Sequence, residues 1–106
     1  DHRMRVMREE TFGPVAPIMK FRTLDEAIAL ANDTEYGLAA YVFTNDLKTA
    51  LRAAEALEAG GIGVNVNNVV DLQAPFGGWK ESGLGRELGR WGLEAYLETK
   101  HIRMGL

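Results

Sequence analysis

The sequence predicts an α/β fold: a β-α-β-α-β parallel sheet followed by a terminal helix and a last strand. Three observations predict it. Leu38 to Phe43 and Ile62 to Val66 are apolar without alternation, as strands buried on both faces are. Stretches with apolar residues at helical spacing lie before and between them. Turn signals separate the pieces, at Asn32-Asp33-Thr34 with Gly37 and again at Gly60-Gly61.

Each element follows in order. Met4 to Met7 suits a short strand or an extended arm. Val15 to Phe21 is apolar but holds Pro17, which fits an outer or irregular strand. Thr23-Leu24-Asp25-Glu26 has the form of a capping box, with a hydroxyl at the N-cap and a carboxylate three residues on. Leu24, Ala27, Ile28 and Ala31 then mark one face of a helix. Asn45 is the expected N-cap of a second helix, with Leu47, Ala50, Leu51, Ala54 and Leu57 on its inner face. Strands joined through helices pair in parallel, because a parallel partner needs a crossover.

Asn67 to Glu81 reads as a long loop, and ordered loops after parallel strands often carry function. The last helix is expected over 85–97. It holds Gly85, Gly89 and Gly92 at i, i+4 and i+7. Each Gly costs a helix about 1 kcal/mol relative to Ala, so three of them predict a second backbone packed close. The tail, Glu98 to Met104, alternates loosely and suits a final strand.

At 106 residues the chain suits one domain at most, and 46% apolar residues allow a modest core. The net charge is −3, with Lys and Arg interleaved among acids. There is no basic stripe, so no nucleic-acid partner is expected. No apolar run approaches the roughly 20 residues of a membrane span, so no membrane partner is expected either. Cysteine is absent, which removes disulfides, thiolate metal sites and a cysteine nucleophile from this chain. His2 and His101 lack metal-ligand spacing, and no metal site is expected. The opening Asp1-His2-Arg3-Met4 is followed by no apolar h-region, so it is not expected to be a signal peptide. It reads as cut from a longer chain, and a cytoplasmic location is the default.

Chemistry concentrates in two strings. One is Glu9-Glu10-Thr11-Phe12-Gly13-Pro14-Val15. Adjacent carboxylates are ordinarily a solvated pair. Gly13-Pro14, however, predicts a tight turn that holds a neighbouring carboxylate and ring in place. A held carboxylate suits the diol of a ribose, and a held Phe supplies an apolar wall for a flat ring. The other string runs from Pro75 through Phe76-Gly77-Gly78 to Glu87. Gly77-Gly78 frees the backbone for a sharp bend with Phe76 at its lip. Gly83-Leu84-Gly85-Arg86-Glu87-Leu88-Gly89 imitates a dinucleotide fingerprint but fails it. Its third glycine comes one residue late, and no strand directly precedes it.

In this order and about sixty residues apart, the two strings resemble the C-terminal portion of the NAD(P)-dependent aldehyde dehydrogenase superfamily. The resemblance runs from Met4 to Met104. It implies that Glu10 holds the nicotinamide ribose and Phe12 packs by the nicotinamide, with NAD or NADP as cofactor. It implies that Phe76 borders a substrate channel for a small-molecule aldehyde, shaped by the loop before it. Val70 stands in that loop where the family often carries an aromatic. Glu87 matches a glutamate that relays a proton from the active site; an ion pair with Arg86 or Arg90 is the plainer reading.

The family's cysteine nucleophile, general-base glutamate, oxyanion-hole asparagine and dinucleotide-binding domain lie upstream. The resemblance therefore implies no catalytic residue here beyond the relay at Glu87, and no activity in the chain alone. It divides the chain into residues 1–97, the end of a catalytic domain with substrate loop 67–81, and residues 98–106, an oligomerisation strand making a homo-oligomer. Two rivals stay open: a stand-alone, non-enzymatic α/β binding module, and part of a dehydrogenase that passes its acyl group to coenzyme A.

Overall fold

The structure, a computed structural model, describes residues 1–105, so Leu106 of the expected tail lies outside the described residues. The predicted centre is present. Helix α1 spans Leu24–Asn32, with the Thr23 hydroxyl accepting the Glu26 N–H at 3.2 Å. Glu26 reaches back to the N–H of Arg22 at 2.7 Å, one residue earlier than a capping box requires. Strand β1 is Tyr36–Gly37 and β2 is Ala39–Val42. Helix α2, Leu47–Ala56, crosses to β3, Gly61–Val64, which lies parallel to β2 in the register Ala39↔Gly61 to Val42↔Val64.

Several expectations need correcting. The parallel sheet has two strands among the described residues, so the unit is β-α-β and not β-α-β-α-β. Val15 to Phe21 joins no ladder, and Val15, Ile18 and Phe21 are exposed. A strand is made by its partner, and none stands beside this segment. The same holds for 98–104, which carries no ladder and is exposed. Arg5–Met7 is a short 3-10 turn. The second helix is capped by Asp46 and not Asn45; its carboxylate accepts the Thr49 N–H at 2.7 Å.

The inner face of α2 also shifts, to Ala50 and Ala53 with Leu57 after the helix, leaving Leu47 and Leu51 exposed. The last helix, α3, is only Gly89–Glu94. Gly85, Leu88 and Gly89 all have positive φ, at 78°, 61° and 54°, so right-handed helix cannot run through 85–88 and begins only at Gly89. The close backbone approach predicted there does occur. A Cβ on Gly89 would stand 2.8 Å from the Gln73 carbonyl oxygen.

One ladder was not foreseen. Trp79–Lys80 forms β4, antiparallel to β1, with Tyr36↔Lys80 and Gly37↔Trp79 paired. It sits inside the predicted loop and folds that loop back over β1. The Lys80 ammonium then donates to the carbonyls of Asn32 and Thr34, at 2.7 and 3.1 Å, and pairs with Glu58 at 2.7 Å. A cation at a helix C-terminus is favoured by the orphan carbonyls there. The buried apolar residues are Ala50, Ala53, Leu57 and Ala59. Both tryptophans and all three tyrosines stand 40–89% exposed. No described helix is long and apolar enough to cross a membrane.

Candidate functional site

The first string lies on an arm tethered near the chain's start. His2 hydrogen-bonds through Nε2 to the carboxylate of Asp33, the residue that caps the end of α1, at 2.6 Å. After the 3-10 turn, Arg5 forks onto Glu9 through Nε and Nη2, at 2.8 and 2.9 Å. The fork holds the Glu9 carboxyl below its usual range and raises the Arg5 guanidinium above its own. The chain then bends at Gly13-Pro14, with Gly13 at φ 118°, a conformation that favours glycine.

The two neighbouring carboxylates are therefore not equivalent. Glu9 is occupied by Arg5. Glu10 makes no hydrogen bond or ion pair among the described residues, and it lines a cavity of about 340 Å³ with Tyr36, Leu38 and Ser82. Phe12, just before the bend, is 89% exposed. An unengaged carboxylate and a bare ring face are what a ribose diol and a flat heterocycle need, so both residues fit a nicotinamide cofactor.

The second string brings Phe76 and Glu87 together. The Phe76 N–H donates to the Glu87 carbonyl at 2.8 Å, and the Glu87 N–H returns to the Phe76 carbonyl at 2.7 Å. Both line a second cavity, of about 300 Å³, with Leu38, Ser82 and Arg86. Leu38 and Ser82 border both cavities, and the Ser82 hydroxyl fixes the wall by accepting the Gly37 N–H at 2.9 Å. Arg86 donates to the carbonyls of Gly78 and Gly85, at 3.0 and 2.6 Å. Arg90 pairs with Glu94 at 3.0 Å. Neither arginine pairs with Glu87, so the plainer ion-pair reading of that carboxylate fails within this chain.

Val70 is half-exposed at 49% and lines neither of these cavities. The polar residues beside it serve the loop. Asn68 exchanges hydrogen bonds with the backbone of Val70, at 3.0 and 3.2 Å, and Asp71 accepts the Gln73 N–H at 3.0 Å. Such side-chain turns shape a loop from within. The roles of Lys80, His2 and Ser82 were not picked out in the sequence, because their partners lie 22 to 48 residues away. The Arg5–Glu9 pair did have a signal, the i, i+4 spacing of opposite charges.

Comparison with known proteins gives consistent matches. Residues 1–102 match the aldehyde dehydrogenase family. An aldehyde dehydrogenase of Enchytraeus buchholzi is 59% identical over 93% of this chain and 20% of its own length. A 3-sulfolactaldehyde dehydrogenase of Pseudomonas putida is 51% identical over 96% of this chain and 21% of its own. The crystal structure of a betaine aldehyde dehydrogenase of Staphylococcus aureus, in complex with NAD+, superposes at a TM-score of 0.93 with 51% identity, over 96% of this chain and 20% of that one. The chain spans about one fifth of the length of these relatives.

Proposed function

The chain belongs to the aldehyde dehydrogenase family, and from that premise we propose that it is the C-terminal part of an enzyme that oxidises an aldehyde to a carboxylate and reduces NAD or NADP. Residues 1–97 close the catalytic domain, and residues 98–106 form the strand through which a homo-oligomer assembles. The observation that carries the reading is the rung between Phe76 and Glu87. It places an aromatic wall and an unpaired carboxylate at one cavity, the pairing a hydrophobic substrate channel with a proton exit requires.

In this reading each residue has one task. Glu10 holds the ribose diol and so aims the nicotinamide. Phe12 offers its exposed face to that ring. The cofactor, when bound, supplies the hydride acceptor. Phe76 walls the aldehyde, and Val70 shapes the loop ahead of it. Glu87 accepts a proton at its carboxylate and passes it to solvent, to which it is exposed. The attacking thiolate comes from outside these 106 residues, which contain no cysteine.

The test is direct. The isolated chain is expected to oxidise no aldehyde with either nicotinamide cofactor. Turnover by the rigorously purified chain, above the buffer background, would overturn the division of labour proposed here.

A further inference from the structure

We infer that Gly60, in the turn between α2 and β3, is a positioning residue that sets where the Phe76 ring and the Glu87 carboxylate stand. The inference rests on the site assignment proposed above. Backbone conformation does not demand glycine at this position, because Gly60 is not among the residues with positive φ. Space does. A Cβ there would fall on the carbonyl oxygen of Gly77, 2.8 Å from its carbonyl carbon and 3.3 Å from the Cα of Gly78.

The next layer is as close. A Cβ on Gly77 would stand 2.7 Å from the Gly85 oxygen and 2.8 Å from Cδ of Arg86. Three backbone segments are thus stacked: the turn at Gly60, the bend at 76–78, and the stretch 85–87, with the Arg86 side chain beside the Gly85 carbonyl at the second contact. The second and third are joined by the paired hydrogen bonds of Phe76 and Glu87. The Gly60 turn cannot retreat. Its N–H is bound to the Gly37 carbonyl at 3.0 Å, and that of Gly61 to Leu38 at 3.1 Å. A methyl group at residue 60 therefore pushes Phe76 and Glu87 outward as a unit.

The test uses the complete enzyme with Gly60→Ala and, in parallel, Phe76→Ala. The readouts are kcat/KM for aldehydes of increasing bulk and KM for NAD+. In folded Gly60→Ala the ratio between the smallest and the bulkiest aldehyde is expected to change by about tenfold or more, since a misplacement of about 1 Å can cost roughly 100-fold. The KM for NAD+ should stay within about twofold, because uniform cofactor binding is untouched. An unchanged ratio in folded Gly60→Ala, with Phe76→Ala altering it, overturns the inference alone. An unchanged ratio in Phe76→Ala overturns the site assignment on which it rests.

Should Gly60→Ala not fold, amide hydrogen exchange on the wild-type enzyme decides the matter. The amides of Phe76 and Glu87 are expected to be as protected as those of Gly60 and Gly61, as one cooperative unit requires. Exchange about tenfold faster at Phe76 and Glu87 would separate the layers and sink the inference.

Discussion

Glu9 and Glu10 are adjacent in the chain and opposite in use. Both line one cavity, but Arg5 grips the first through two short bonds, while the second stands unengaged among the described residues. In the complete enzyme, Glu10→Gln is expected to slow single-turnover hydride transfer by up to about 100-fold, the cost of a ring misplaced by about 1 Å. Glu9→Gln should stay within about threefold of wild type, because an exposed i, i+4 pair is worth little. Equal rates for Glu10→Gln and wild type would remove the ribose role. At this scale the sequence was readable where local spacing carries meaning. The Phe-Gly-Pro that follows singled out Glu10, and the bend at Gly13 is where it was expected. It was not readable where a partner is remote. Nothing near Ser82 or Lys80 announces that one steadies β1 and the other holds the end of α1. Asn68 and Asp71 are spent on their own loop's turns, which no local spacing announces.

Helix α2 depends on its cap. Hydrogen bonding from Thr49, by side chain first and backbone N–H second, holds the Asp46 carboxyl below its ordinary range. The sign follows from linkage. A depressed folded-state value means that the cap's contribution is full above the unfolded value, about 3.9, and fades as pH falls through the folded one. Asp46→Ala should therefore reduce the amide-exchange protection of α2 at neutral pH. The gap from wild type should begin to close below about pH 4. A gap that persisted unchanged in strong acid would show that the charged carboxylate is not the cap. Elements that satisfy their hydrogen bonds within themselves or with a near neighbour, such as α1, α2 and the β2–β3 pair, were legible. Val15 to Phe21 and the tail were not, since an extended segment becomes a strand only beside another. The last helix was expected, but its start was set too early because Leu88 looks helical in sequence and is held at φ 61° in the fold.

The whole chain is long for its mass. Its radius of gyration is 18.2 Å, against about 13 Å for a compact domain of about 100 residues. Among the described residues, three of the four buried apolar side chains are alanines. The 46% apolar composition had suggested a modest core; most of that surface instead faces outward, in a chain spanning one fifth of its relatives. Composition gives the quantity of apolar surface and says nothing of whose surface it will meet. The isolated chain is accordingly expected to self-associate, since large exposed apolar patches and bare extended edges seek partners. Removing residues 98–106 from the complete enzyme should weaken its oligomer by about tenfold or more in dissociation constant, some 1.4 kcal/mol. Light scattering that found a monomeric isolated chain and an unweakened truncated enzyme would defeat the assembly role. Phe76 and Glu87 share a rung, and on the proposed assignment this bears on how such enzymes diversify. A substitution that shifts the ring to admit a new aldehyde drags the carboxylate along, so a new taste arrives with impaired turnover. Variation at Val70, which belongs to no such rung, escapes that penalty, and it is there that descendants of one ancestor are free to part ways.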